Sequence, residues 1–149
     1  MTDVHSPETR SRNMRAIRSA DTKPELIVRR SLHAAGLRYR LGGAGLPGRP
    51  DLVLPRHRAV IFVHGCFWHG HDCPLFKIPS TRLEFWKTKI GRNRENDAKV
   101  KSLLLVAGWR IATVWECAIR KKDKAAEVFE TLKLWISGDK SVYDLEIRG

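Results

Sequence analysis

The chain alternates short apolar runs with longer stretches in which apolar residues recur every three or four positions, so strands and helices are expected in turn. The apolar runs fall at 51–54, 59–63 and 109–115. Pro55-Arg56-His57-Arg58 separates the first two, and a turn there makes them a hairpin of two buried strands. The third run, Trp109-Arg110-Ile111-Ala112-Thr113-Val114-Trp115, is rich in the β-branched and aromatic residues that suit a strand.

Helical spacing occurs in three places. Thr22-Lys23-Pro24-Glu25 reads as a capping box opening a helix to about Ala35, with Leu26, Val28, Leu32 and Ala35 on one side and Gly36 as the stop. Thr81-Arg82-Leu83-Glu84 repeats that signature. It opens a helix through Phe85, Trp86 and Ile90 that is expected to break or bend near Gly91 and to resume over 93–107. Asp123 caps a last helix carrying Ala126, Phe129, Leu132, Leu134 and Ile136 and ended by Gly138, after which the chain reads as a loosely held tail. Helices between strands predict an α/β fold, a small mixed sheet flanked by helices. The expected organisation is an arm at 1–20, one domain at 21–138 and a tail at 139–149.

Composition adds a partner class. The 149 residues suffice for one core without disulfides, and 28 Lys and Arg against 16 Asp and Glu give a net charge of +12. Such a surplus favours a polyanion. The arm concentrates Arg10, Arg12, Arg15 and Arg18 around Met14, Ala16 and Ile17, and either orders on a phosphate backbone or frays with its charges solvated. No run of about 18 apolar residues and no hydrophobic leader is present, so a cytoplasmic protein with no membrane partner is expected.

The densest chemistry lies in Gly65-Cys66-Phe67-Trp68-His69-Gly70-His71-Asp72-Cys73, preceded by His64. Cys66, His71 and Cys73, joined by Cys117 just past the third strand, make three thiolates and an imidazole, the closed donor set of structural zinc. The alternative is three buried thiols without a ligand. Arg49-Pro50-Asp51 at a strand start matches the PD-(D/E)XK nucleases in part, but their downstream Glu-x-Lys is here Phe62-Val63-His64. Metal ligation would then be completed by a backbone carbonyl, a water shell or a distant acid such as Glu25 or Asp97, which suits magnesium. His64 and His69 are candidates to replace lysine as the base near neutral pH. Alone, a Pro-Asp pair reads as a strand-initiating proline with a turn acid; the nearby histidines and the basic charge favour catalysis.

Leu46-Pro47-Gly48-Arg49-Pro50-Asp51, Val60-Ile61-Phe62, His64-Gly65-Cys66-Phe67-Trp68-His69 and Val114-Trp115-Glu116-Cys117, in this order, resemble the very-short-patch-repair (Vsr) endonucleases. Thr9-Arg10-Ser11, Asn13-Met14-Arg15-Ala16-Ile17, Glu84-Phe85-Trp86 and Lys89-Ile90-Gly91 are similar too, so the resemblance spans roughly 8–137. It implies a restriction-endonuclease-like fold, a PD-(D/E)XK variant with structural zinc, that nicks one strand of duplex DNA 5′ of the thymine in a T:G mismatch left by deaminated 5-methylcytosine. By that resemblance Asp51 and the Val63 backbone carbonyl hold magnesium, His69 activates water, and His64, Glu25 and Asp97 support it. Cys66, His71, Cys73 and Cys117 would hold zinc. Phe67, Trp68 and Trp86 would wedge into the duplex, while Met14 and Arg15 act from the arm. The helical spacing of Trp86 beside Phe85 and Ile90 equally suits core packing. Val63 stands where the family carries threonine, and Gly70 and Asp72 replace a more histidine-rich run. A monomer is expected, with other mismatch-repair proteins left open as partners. Two rivals remain: a restriction-like endonuclease acting on intact sites, and a non-catalytic zinc protein that binds distorted DNA.

Overall fold

The three apolar runs form β2 at Leu52–Leu54, β3 at Ala59–His64 and β4 at Arg110–Trp115, and two strands not expected from the sequence, β1 at Arg40–Leu41 and β5 at Asp144–Ile147, flank them in the sheet order β1-β2-β3-β4-β5. The computed structural model describes residues 22–43, 45–138 and 140–149, so the arm with Met14 and Arg15 lies outside the described residues. Connection length sets strand direction. A single 3-10 turn, Pro55–His57, with Arg58 at φ 51, reverses the chain between β2 and β3 and makes them antiparallel. Helix-bearing crossovers make β3, β4 and β5 parallel.

Four helices are described: α1 (Lys23–Ala34), α2 (Leu83–Val106), α3 (Glu116–Ile119) and α4 (Lys122–Ser137). On one face of the sheet, Val28 and Leu32 of α1 and Leu132 and Ile136 of α4 join Leu52, Leu54, Ile61, Ala112 and Val114. On the other, Val100 and Leu104 of α2 join Val53, Val60 and Ile111. All six residues of β4 are buried because helices cover both faces, which is why its sequence is nearly unbroken in apolar character. Each fully buried aliphatic side chain contributes about 1.5–3 kcal/mol. The buried Arg110 is held by Trp135 O at 2.9 Å and Ile136 O at 3.1 Å, so its cation satisfies carbonyls at the C-terminal end of α4. No helix among the described residues is long and apolar enough to cross a membrane.

Several local expectations are corrected. Neither capping box forms: Thr22 is the N-cap of α1 without a side-chain bond, and α2 begins after Arg82, at φ 57, also without one. Glu25 instead turns inward, buried, and accepts a hydrogen bond from Arg29 at 2.7 Å. The helix does not break at Gly91; α2 is continuous over 24 residues. A mid-helix glycine costs only about 1 kcal/mol, and burial of Ile90, Val100 and Leu104 along the same helix offsets it. Lys121, rather than Asp123, is the N-cap of α4, whose buried side is Ala125, Val128, Leu132, Trp135 and Ile136, with Leu134 70% exposed. The supposed tail contains β5, registered on β4 through Thr113↔Glu146 and Val114↔Ile147.

Candidate active site

The site gathers where β3 and β4 end together, at the His64↔Trp115 pair, beside the start of β2. Gly48 and Arg49, at φ 72 and φ 46, turn the chain into buried Pro50 and then Asp51. Gly48 is required there, because a Cβ would lie 2.4 Å from the Val100 side chain of α2. Asp51 Oδ2 accepts a hydrogen bond from the Val63 backbone N–H at 2.6 Å, which sets the carboxylate against the C-terminal end of β3, at the open end of the β2/β3 hairpin. Burial pushes the Asp51 carboxyl up to about 6; the Val63 N–H opposes this, Glu25 adds to it, and His69 and Arg29 work against it. Two acids thus converge on one partly buried spot, an arrangement that a divalent cation with oxygen ligands fits.

His64 ends β3 and His69 follows in the loop, and their rings stack with centroids 3.8 Å apart and planes 3° from parallel. His69 Nδ1 meets Asp97 Oδ2 of α2 at 2.5 Å. With Nδ1–H donating to the carboxylate, Nε2 is left as the basic nitrogen. His64 Nδ1 is buried without a hydrogen-bond partner among the described residues. Burial, followed by the nearby His69 and Lys101, holds His64 well below the usual imidazole range, so it stays neutral. A cleft of about 230 Å³ opens along this face, walled by both histidines, Asp97, Lys101, Trp115 and Glu146.

Immediately behind lies the Cys/His cluster. The donor atoms of Cys66, His71, Cys73 and Cys117 lie within 4.8 Å of one another, and no cysteine forms a disulfide. His71 N–H bonds Cys66 O at 2.9 Å and Cys73 N–H bonds His71 O at 2.9 Å, folding the loop back on itself, while α3 supplies Cys117. His71 Nδ1 is 3.5 Å from Cys117 Sγ. Burial pushes the Cys66 thiol up, so the pocket disfavours a bare thiolate, whereas a bound soft cation would stabilise one. The donor set and its closure suit a structural metal of the zinc type. Gly70, at φ 60, lets the loop lie close on α2, since a Cβ would stand 2.7 Å from Ile90 Cγ2.

The same loop carries an aromatic cluster toward α2. Phe67 packs edge-on against Trp68 at 5.1 Å and Trp86 at 5.4 Å, and Trp68 and Trp86 are 5.8 Å apart. Trp86 is half-buried among rings, outside both aliphatic cores. Asn93 Nδ2 donates to Trp68 O at 2.8 Å and pins the loop to the helix. Sequence reasoning placed Asp51, His64, His69, Asp97, Glu25 and the four cluster residues, and the structure brings them into two adjoining groups. It passed over Asn93 and Glu146, and gave Trp115 no role of its own. Trp115 was read as a strand residue and as part of the Val114-Trp115-Glu116-Cys117 resemblance, and Glu146 carries no local signal, because its partner is 31 residues away.

Residues 2–75 match the family model described as DNA mismatch endonuclease Vsr. The whole chain is 48% identical over 151 residues to the DNA mismatch endonuclease Vsr of Escherichia coli (strain K12), covering 97% of that protein. The chain belongs to the Vsr family of DNA mismatch endonucleases. Other Vsr-like relatives include the type II nicking enzyme V.XorIIP of Xanthomonas oryzae pv. oryzae, 49% identical over 119 residues that cover 80% of this chain and 88% of the relative. The type II nicking enzyme V.NmeAIP of Neisseria meningitidis is 42% identical over 122 residues, covering 82% and 87%. The Vsr model match spans Asp51, the stacked histidines and three of the four cluster residues, so family membership and site geometry fall on the same stretch.

Proposed function

We propose that this Vsr-family endonuclease nicks one strand of duplex DNA on the 5′ side of the thymine in a T:G mismatch, with magnesium as catalytic and zinc as structural cofactor. The observation that carries this is the convergence of Asp51, the His64/His69 stack and Asp97 beside an aromatic cluster formed between the loop and α2. Asp51 and the Val63 backbone carbonyl would hold magnesium, with Glu25 nearby. When bound, the ion supplies Lewis-acid stabilisation of charge on the scissile phosphate. His69, oriented by Asp97, takes the proton from an attacking water through Nε2, and neutral His64 lies beside it as a polar contact for the phosphate. Cys66, His71, Cys73 and Cys117 would hold zinc and stiffen the loop.

Phe67, Trp68 and Trp86 serve as the wedge. Unstacking a base step costs a few kcal/mol, least at a mismatch, so a rigid aromatic cluster selects DNA that already opens easily. Met14 and Arg15 in the basic arm at 1–20 act on the opposite side of the duplex, with the remaining residues forming the endonuclease domain. The fold is a PD-(D/E)XK variant in which imidazoles stand where the lysine would, and the enzyme works as a cytoplasmic monomer on bacterial DNA. The test is nicking of a labelled T:G duplex with magnesium, by the parent and by Asp51→Asn. A single cut 5′ of the mismatched thymine, lost in the variant with binding retained, is expected. Equal cleavage of matched DNA would establish a restriction-like enzyme, and bound but uncut DNA at every metal concentration a binding protein.

A further inference from the structure

We propose that Glu146 of β5 is a positioning residue: through the Trp115 indole it fixes the His64 ring, and with it the stacked His69, against the Cys/His cluster. The chemistry it serves rests on the function proposed above, whereas the positioning itself can be measured without cleavage.

His64 presents the problem that needs a solution. Its Nδ1 is buried with no hydrogen-bond partner among the described residues, and three rings crowd around it. These are His69, Phe62 at 5.6 Å and Trp115, edge-on at 5.2 Å. The same Trp115 lies flat on His71 of the cluster, with centroids 4.0 Å apart and planes 10° from parallel. One indole therefore touches both the candidate base system and a candidate metal ligand. A ring in that place must itself be aimed, and a buried indole N–H needs an acceptor. Trp115 Nε1–H donates to Glu146 Oε1 at 3.0 Å.

Glu146 is held in turn. Its register opposite Thr113 places it on the sheet face that carries Thr113 and Trp115, since alternate strand residues share a face. Asp144 pairs with Lys101 of α2 at 3.2 Å on one side. On the other, Arg148 Nη2 donates to Asp72 O at 2.6 Å and Gly149 N–H to Cys117 Sγ at 3.3 Å. The strand is thus fastened to α2 before Glu146 and to the cluster after it.

The experiment uses zinc-loaded full-length protein and compares Glu146→Ala, Glu146→Gln, Trp115→Phe and the Glu146→Ala/Trp115→Phe double variant. The glutamine oxygen can still accept the indole N–H, whereas alanine cannot. Because small displacements of reacting groups cost up to about 100-fold, Glu146→Ala is expected to lower kcat by about 10-fold, with KM within about twofold of the parent. Glu146→Gln should restore kcat. The double variant should be no slower than Trp115→Phe alone, since without the indole N–H Glu146 has no ring left to hold. In NMR spectra without DNA, the imidazole resonances of His64 and His69 should move in Glu146→Ala and stay in place in Glu146→Gln. Unmoved resonances in Glu146→Ala, a glutamine variant as slow as alanine, an additive double variant, or zinc content that falls together with kcat would each overturn the proposal. Parent enzyme that fails to nick T:G DNA would overturn the proposed function alone, because the ring resonances still test the positioning.

Discussion

His69 and Asp97 meet at 2.5 Å, imidazole Nδ1 to carboxylate, although 28 residues separate them in the chain. The long helix α2 brings the acid back over the loop, and the pair leaves one imidazole nitrogen free to act as a base. Asp97→Ala should therefore lower single-turnover nicking by about 100-fold, in the range that general-base catalysis supplies. Gel-shift affinity for the T:G duplex should stay within about twofold of the parent. Nicking at the parental rate would remove Asp97 from the machinery.

The Asp51 carboxyl, raised to about 6, gives a pH dependence with an unusual sign. The folded chain holds this proton more tightly than the unfolded chain does. Its contribution to stability is complete below the ordinary carboxyl value of 3.8 and is lost as pH rises through about 6. Metal-free Asp51→Asn should accordingly be more stable than the parent at pH 7, by up to about 3 kcal/mol, with the gap closing toward pH 4. Urea denaturation of both proteins at the two pH values checks this, and a gap that widens toward acid would refute it.

Cys66 is fully buried and belongs to the four-donor cluster. Cys66→Ser should reduce zinc from about one per chain to well below half and lower Tm, because a closed structural site needs all four ligands. Metal analysis and thermal unfolding, with and without chelator, read out both effects. Full zinc occupancy in the variant would remove Cys66 from the site.

Removing Phe67 or Trp86 takes away rings that pack on each other at 5.4 Å. Each alanine variant should weaken binding to the T:G duplex by about 1–3 kcal/mol while changing affinity for a fully paired duplex far less. The ratio of the two dissociation constants is the measurement that decides it. Equal losses on both duplexes would make these rings general packing residues.

Local patterns carried much of the architecture: the hairpin of β2 and β3, strand β4 and the three long helices all follow from apolar spacing. The candidate site was readable where its residues cluster in sequence, at 49–51 and 64–73. What escaped was settled by distant partners. Thr22 and Glu25 carry a capping signature, yet Glu25 is drawn to Arg29. Gly91 looks like a breaker, yet the packing of α2 on both sides of it keeps the helix whole. Strand β5 has only Leu145 and Ile147 to mark it, too short a pattern to separate from a tail until β4 offers its free edge.

The continuity of α2 has a metric consequence. Trp86 and Asp97 ride on one uninterrupted helix, about three turns and roughly 16 Å apart, and nearly aligned around its axis. The helix is a ruler: it sets a constant offset between the proposed wedge ring and the acid that orients the proposed base. A hinge at Gly91 would have let that offset vary. Under the proposed function, the place where the duplex is pried open would dictate which phosphate lies within reach, and lengthening α2 by one turn would move the two out of step.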